Sequence, residues 1–337
     1  MSLFPSLLPY GWKNSPLPVG ATPARVIRHD GARLTVITPD GQRTLANSPQ
    51  LEPQPTVGDW LAIDRDDRII EVLERHSLLR RRAADDSGAQ ALAANVDLVL
   101  ITCGIDRPIK PGRIHRSIAQ ARDAGAEPLI VLTKATLEAA RVDARALERQ
   151  HSGLEVFVTS ALEGVGIDEL GARLAGLTAV LLGESGAGKS TLANALLGAD
   201  RAATGDVRDG DAKGRHTTTS RQLYLLPGGG VIIDTPGIRS VGLFADAAAI
   251  DASVSEIQDF ALGCRFHDCG HGSEPGCAVR EAIESGELDA ERFETWLHLQ
   301  KEVAIAALRA DPRAWHQYAR QYGRTAKEGE ARKRRSG

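Results

Sequence analysis

The sequence predicts three regions in series: a small antiparallel β-barrel, a parallel α/β domain, and a helical C-terminal region organised by a cysteine/histidine knot. Three observations carry this. Short strand patterns broken by turn signals fill residues ~20–77, continuous apolar runs alternating with helical patterns follow from Val96, and three of the four cysteines crowd into Cys264–Cys277. The chain of 337 residues has room for two or three domains. Its apolar fraction of 42% and charged fraction of 25% exclude a wholly disordered chain. No stretch reaches the ~18 uncharged apolar residues of a membrane helix, and Met1–Gly20 lacks a secretory signal pattern. A cytoplasmic chain with no membrane partner is therefore expected. The expected division is an N-terminal extension at 1–19, the barrel at 20–82, a linker at 83–93, the α/β domain at 94–245, the knot-bearing helical domain at 246–325 and a basic tail at 326–337.

In the first region, Ala24–Ile27, Arg33–Thr38, Trp60–Asp64 and Ile69–Glu74 read as strands. They are separated by His29-Asp30-Gly31, Pro39-Asp40-Gly41, Val57-Gly58-Asp59 and Arg65-Asp66-Asp67. Four or five strands in so short a span suit a closed barrel such as an OB-fold, and a plain β-meander fits the same pattern. Arg80–Ala94 is charged, rich in small residues and aperiodic, which reads as a linker. Charge is uneven. Residues 1–82 carry 11 Lys/Arg against 9 Asp/Glu and residues 304–337 carry 9 against 3, so within a net of −3 the middle stands at −11. Basic flanks around an acidic centre suit contact with a polyanion at the two ends.

The pattern changes at Val96–Thr102, Pro128–Leu132, Val156–Thr159 and Thr178–Leu182. These are unbroken apolar runs, as in strands buried on both faces. Helical patterns at Arg113–Ala124, Leu137–Gln150 and Gly166–Ala175 alternate with them, which predicts a parallel sheet with crossover helices. Two more strands follow at Gln222–Leu226 and Val231–Asp234. Gly183-Glu184-Ser185-Gly186-Ala187-Gly188-Lys189-Ser190 matches the phosphate-loop pattern G-x-x-x-x-G-K-[ST] in full, between a strand and the helix pattern Thr191–Leu197. Glycines let backbone N–H groups close around phosphate oxygens. Lys189 is expected to bridge the β- and γ-phosphates, and the Ser190 hydroxyl to hold Mg²⁺. Asp234, ending an apolar strand in Asp234-Thr235-Pro236-Gly237, stands where a second metal-associated carboxylate belongs, and the Gly237 N–H suits the γ-phosphate. In Gly214–Thr219, a threonine such as Thr218 would complete the Mg²⁺ shell.

A nucleotide switch also needs a loop that reads the base. Thr133-Lys134-Ala135-Thr136 ends one buried strand, and Ser160-Ala161 follows the next. These positions correspond to the Asn-Lys-x-Asp and Ser-Ala elements of GTPases, but here both precede the phosphate loop. That order is a circular permutation, which costs little where domain termini lie close together. It runs the second switch loop straight into the C-terminal region, a route for transmitting nucleotide state. Thr133 and Thr136 replace the usual Asn and Asp. A neutral bond of ~1 kcal/mol replaces charge-assisted bonds of ~1.5–3 kcal/mol, which should weaken guanine selectivity. Ile238, where many GTPases place a water-orienting Gln, predicts slow intrinsic turnover.

Cys264-x4-Cys269-x-His271-x5-Cys277 supplies three thiols and an imidazole, a closed tetrahedral zinc set with a structural role; free buried thiols are the alternative. His267 is a competing ligand, and Cys103 on its apolar strand reads as core.

Together these features resemble the circularly permuted ribosome-assembly GTPases of the RsgA (YjeQ) family. The similarity spans ~20–320. It is carried by Val57-Gly58-Asp59-Trp60, Ala94-Asn95-Val96-Asp97, Gly214-Arg215-His216-Thr217-Thr218-Thr219, Asp234-Thr235-Pro236-Gly237, and the knot running into Glu274-Pro275-Gly276-Cys277-Ala278-Val279. The resemblance implies an OB-fold, a permuted GTPase centre and a zinc domain. It also implies a role in late maturation of the small ribosomal subunit with rRNA contacts from the flanking domains, and a helper role in hydrolysis for His216. The base loop departs from the family pattern, as a divergent paralogue would. The leading expectation is a monomeric, slow GTP hydrolase that binds GTP and GDP with Mg²⁺, holds one structural Zn²⁺ and is activated by the small subunit. The alternatives are an RNA-binding assembly factor that uses nucleotide structurally, and an NTPase with relaxed base preference.

Overall fold

The computed structural model describes residues 3–82, 89–109, 111–134, 144–149, 151, 153–199, 221–234, 255–266, 269–272 and 274–290, with 293–294, 296–297, 300–301 and 304 beyond them. Two compact units are present, residues 1–81 with 89–242, and residues 82–88 with 243–337.

In the first unit, alternating side chains make a small antiparallel sheet. Its strands are β1 (Thr22–His29), β2 (Arg33–Thr38), β3 (Gly41–Ala46), β4 (Trp60–Ile63) and β5 (Ile69–Val72), hydrogen-bonded in the order β3-β2-β1-β4-β5. Strand β1 pairs with β4 through Thr22–Arg25 and with β2 through Arg25–His29, the second ladder shifting register between Val26 and Arg28. Leu34 and Val36 of β2, Leu45 of β3, and Leu61 and Ile63 of β4 share one core with Ala24 and Val26 of β1, and Ile69 and Val72 of β5 pack onto it. No β3–β5 ladder closes the sheet among the described residues, and β1 also pairs with the strand at Gln222–Leu225 (Arg28 opposite Gln222), so the expected closed barrel is not seen and these strands continue an 11-stranded mixed sheet. Arg43 of β3 reaches Asp67, in the β4–β5 turn, at 2.6 Å and Asp40 at 3.0 Å. Strand β3 escaped the sequence analysis because only Leu45 within it is buried, so no apolar alternation marks it.

The motif Val57-Gly58-Asp59-Trp60 is a clamp onto Ala94-Asn95-Val96-Asp97. Gly58 sits at φ +93, and a Cβ there would collide with the Ala94 carbonyl, so only glycine allows the approach. Ala94 N–H donates to Val57 O at 3.0 Å, and Asn95 Nδ2 donates to Gly58 O at 3.1 Å. The Asp59 carboxylate is fully buried. It accepts bonds from the Thr56 N–H and from Nε and NH2 of Arg75, all at 2.7 Å. Burial pushes its carboxyl up against the pull of Arg75. Removing one partner of such a pair strands the other in low dielectric, so Asp59→Ala is expected to destabilise this unit by ~3–5 kcal/mol in urea unfolding; a loss below 1 kcal/mol would refute the clamp. Arg25, also buried, donates from NH2 to Thr178 Oγ1 at 2.8 Å and to Asn95 O at 3.4 Å, and desolvation lowers its guanidinium to about 10. Asp97 accepts from the Thr178 N–H at 2.8 Å and from Lys13 at 2.9 Å, with His76 3.3 Å away. Burial opposes its ionisation, but these bonds prevail and hold the carboxyl below the usual carboxylate range. Its contribution to stability is therefore full above the unfolded carboxylate pKa and fades as pH falls through the depressed folded value.

The stretch 83–93, expected as a linker, contains most of a strand. Strand β7 (Ala89–Ala94) pairs with β6 (Leu78–Arg82) as a two-stranded ribbon. Leu79 and Leu92 point it into the core, a signal too sparse to stand out among the arginines and alanines.

The apolar runs form the parallel sheet as expected. Strands β8 (Leu98–Gly104), β9 (Glu127–Thr133), β10 (Val156–Val158), β11 (Thr178–Gly183) and β13 (Val231–Asp234) are parallel, with β12 (Gln222–Leu225) antiparallel beside β13, in the order β10-β9-β8-β11-β13-β12. Successive residues alternate faces. Val99, Ile101, Val180 and Leu182 pack on one side with Ile114 and Ile118 of helix α1 (Pro111–Asp123). Leu98, Leu100, Ala179 and Leu181 pack on the other with Leu170 of α2 (Ile167–Arg173) and Leu192 and Leu196 of α3 (Lys189–Leu197). Pro111 opens α1, where a missing N–H costs nothing. Cys103 packs at the edge of this core, and burial pushes its thiol up to about 11, consistent with its reading as a core residue.

The second unit has helices α4 (Ser255–Ala261) and α5 (Ala278–Ser285), and the described residues from 290 to 304 are also helical. Ile257, Val279, Ala282, Leu288 and Phe293 form its core around Cys277.

Candidate functional site

The sheet order fixes where a ligand sits. From β8 the chain winds outward through β9 and β10. From β11 it winds the other way to β13. The crevice between the carboxyl ends of β8 and β11 is thus a topological switch point, where open α/β sheets bind ligands. The phosphate loop lies there. Gly183 ends β11, and Lys189 and Ser190 open α3 with Gly188 as N-cap at φ +82, a left-handed turn that aims the first N–H groups of α3 at the loop centre. Lys189 Nζ donates to Gly183 O at 2.8 Å and to Glu184 O at 2.6 Å, so the ammonium is held within the loop. At the end of neighbouring β13, burial raises the Asp234 carboxyl while Lys189 pulls it down, which marks their shared field. Glu184 pairs with Arg113 of α1. Ser185, Gly186 and Thr191 are exposed along the same loop and helix start, and Ala187 is buried.

Thr133 and Lys134 leave β9 beside this loop. The Thr133 hydroxyl donates to Ala187 O at 2.6 Å and lies 3.3 Å from Cys103 O. Its hydrogen is committed to the phosphate loop, so Thr133 staples the two loops together. Lys134 takes φ +59 and bonds Asp106 at 2.8 Å. Ser160 and Ala161 follow β10, and Ser160 N–H donates to Val165 O at 3.0 Å in a tight turn. The structure therefore brings Thr133, Lys134, Lys189, Ser190 and Asp234 to one end of the sheet. Ala135, Thr136, His216, Thr218 and Gly237 lie outside the described residues. Sequence reasoning passed over Asp106, Arg107 and Arg113. A cavity of about 90 Å³ between α1 and the phosphate loop is lined by Arg107, Arg113, Gly183 and Ala187. Their only sequence signal was position: Asp106 and Arg107 directly follow a buried strand that borders β11, and Arg113 lies in the first turn of α1.

In the second unit the four knot residues converge, their ligand atoms all within 4.8 Å of one another. Cys264 Sγ to His271 Nδ1 is 3.6 Å, Cys277 Sγ to His271 Nδ1 is 3.5 Å, and Cys264 Sγ to Cys277 Sγ is 3.9 Å. Zinc bonds of ~2.3 Å to sulfur and ~2.0 Å to nitrogen give tetrahedral edges of about this length, so the donor set fits the ion. Glu274 accepts from the N–H groups of Gly270 (3.2 Å) and Gly272 (2.7 Å), which shapes the turn that carries His271 at φ +55. The His271 ring lies 6.3 Å from Phe293 and 6.0 Å from Trp296, against the small core. His267 lies outside the described residues.

The family model for the RsgA GTPase matches residues 72–244. The small ribosomal subunit biogenesis GTPase RsgA of Streptomyces coelicolor is 42% identical over 345 residues, covering 97% of this chain and 94% of that protein. Its counterpart in Syntrophotalea carbinolica is 40% identical, covering 86% and 85%. Among solved structures, YjeQ from Thermotoga maritima matches with a TM-score of 0.64 at 28% identity, covering 84% of this chain and 99% of that one. YloQ, described as a circularly permuted GTPase, shares the fold with a TM-score of 0.62 at 20% identity, covering 85% and 96%. The base loop ahead of the phosphate loop, the sheet order that still brings them together, and near-full-length identity above 40% lead to one assignment: the chain belongs to the RsgA GTPase family.

Proposed function

We propose that this protein is a small ribosomal subunit biogenesis GTPase, which binds and hydrolyses GTP during late maturation of the subunit and is activated by it. The observation that carries the reading is the junction at the switch point, where Thr133 Oγ1 bonds Ala187 O and Lys189 is held within the loop. In this reading Gly183–Thr191 cradle the phosphates, Lys189 stabilises charge on the β/γ-phosphates, and Ser190 with Thr218 holds Mg²⁺ near Asp234. Gly237 senses the γ-phosphate, and His216 helps position the attacking water. Lys134, Ala135, Thr136, Ser160 and Ala161 flank the base. Cys264, Cys269, His271 and Cys277 hold one structural Zn²⁺. The region 20–82 acts as an OB-fold beside the GTPase centre at 94–245, with the zinc domain at 246–325, and these flanking regions contact rRNA. No described helix is long and apolar enough to cross a membrane, and we take the protein to act in the cytoplasm as a monomer. Co-sedimentation with purified small subunits tests the partner: binding should be stronger with a non-hydrolysable GTP analogue than with GDP, and no binding in either state would sink the ribosomal role.

A relaxed base preference has one specific observation in its favour. The Thr133 hydroxyl donates to Ala187, and position 136 is a threonine. With no carboxylate in Thr133–Thr136, the loss of one or two kcal/mol corresponds to about tenfold in affinity. Thr136→Asp is therefore expected to widen the preference for GDP over ADP by about tenfold in competition against a labelled guanine nucleotide. Strong selectivity in the parent, unaltered by the substitution, would show that other groups read the base.

A further inference from the structure

The base loop has no acid of its own, but the loop after β8 brings one to it. Gly104 pairs with Thr133 across the β8–β9 ladder, and Ile105 N–H donates to Thr133 O at 3.1 Å. The next residue, Asp106, accepts from Lys134 Nζ at 2.8 Å. That bond holds its carboxyl below the ordinary range. The other Asp106 oxygen lies 3.6 Å from Arg107 Nε, and the Arg107 guanidinium comes within 3.1 Å of where a side chain on Gly186 would begin. Three loops thus meet here. Gly104 lies at their meeting point: a Cβ there would stand 2.7 Å from Asp106 Oδ1, 3.5 Å from Ala187 Cα and 3.7 Å from Lys134 Cδ. Lys134 also adopts φ +59, which an L-residue takes only when its surroundings impose it.

We infer that Asp106 is a positioning residue for purine-nucleotide binding. Its carboxylate fixes the Lys134 ammonium, so that the lysine stem stands as a wall of the nucleoside pocket beside Gly188. This rests on the reading of the site as a nucleotide site. The stem packs on any purine face, so Asp106 should act on guanine and adenine nucleotides alike, unlike a base reader. The pair is exposed, and its effect is correspondingly modest, about two- to fivefold in affinity.

Titration with a fluorescent GDP, and competition by ADP, would be run on the parent, Asp106→Asn, Lys134→Met, the double variant and Asp106→Glu. Asp106→Asn should weaken GDP and ADP by the same two- to fivefold, the loss should fall on KM for GTP rather than on kcat, and Asp106→Glu should recover most of it. Once Lys134 is methionine, Asp106→Asn should cost nothing further. Parent-like affinity in Asp106→Asn, losses that multiply in the double variant, or a loss confined to GDP would each overturn the inference. A parent chain that takes up no labelled GDP would instead overturn the nucleotide reading, and this inference with it.

Discussion

Lys189→Ala is expected to lower GTP turnover by ~10²–10³-fold, the scale on which one preorganised donor stabilises developing charge. The ammonium is already in place, bonded to the Gly183 and Glu184 carbonyls. No reorganisation is needed to meet the β- and γ-phosphates. The fold should survive. Helix α3 is capped by Gly188 and anchored by buried Leu192, Ala193, Leu196 and Leu197, none of which involves the lysine side chain. Circular dichroism should therefore match the parent while nucleotide-dependent fluorescence and turnover collapse. A Lys189→Ala protein that hydrolyses GTP like the parent would show that the phosphates lie elsewhere.

Cys269→Ser is expected to release the metal and loosen the second unit. Among the described residues of that unit six buried side chains form the core, and Cys277 is one of them, so the knot is built into the core it would staple. Ligand binding and folding are coupled in such knots. The variant should carry less than one zinc per chain by elemental analysis. Hydrogen exchange should speed up across α4 and α5 and stay unchanged in β8–β11. No stoichiometric metal in parent protein purified without chelator would remove the zinc assignment.

How much of this was legible in the sequence depended on local signal strength. The buried parallel strands were, because β8, β9 and β11 are apolar at nearly every position and so declare burial on both faces. The phosphate loop and the knot were, because their spacings are dictated by phosphate and metal geometry. Strand β3 and the β6–β7 ribbon were not. Each is paired through backbone bonds and buries only one or two large side chains, and pairing leaves no mark on composition. The junction of Asp106, Lys134 and Arg107 was also hidden, since it joins residues brought together only by the β8–β9 ladder. The bond from the Thr133 hydroxyl to the Ala187 carbonyl was hidden for the same reason, since it joins two loops far apart in sequence.

Steady-state GTP hydrolysis with and without purified small ribosomal subunits tests the central claim most directly. With Ile238 where a water-orienting glutamine would stand, the chain alone should turn over slowly, and small subunits should raise its rate by at least an order of magnitude, the scale on which a supplied catalytic group acts. Turnover that is absent in both conditions, or present and indifferent to the subunit, would contradict the account.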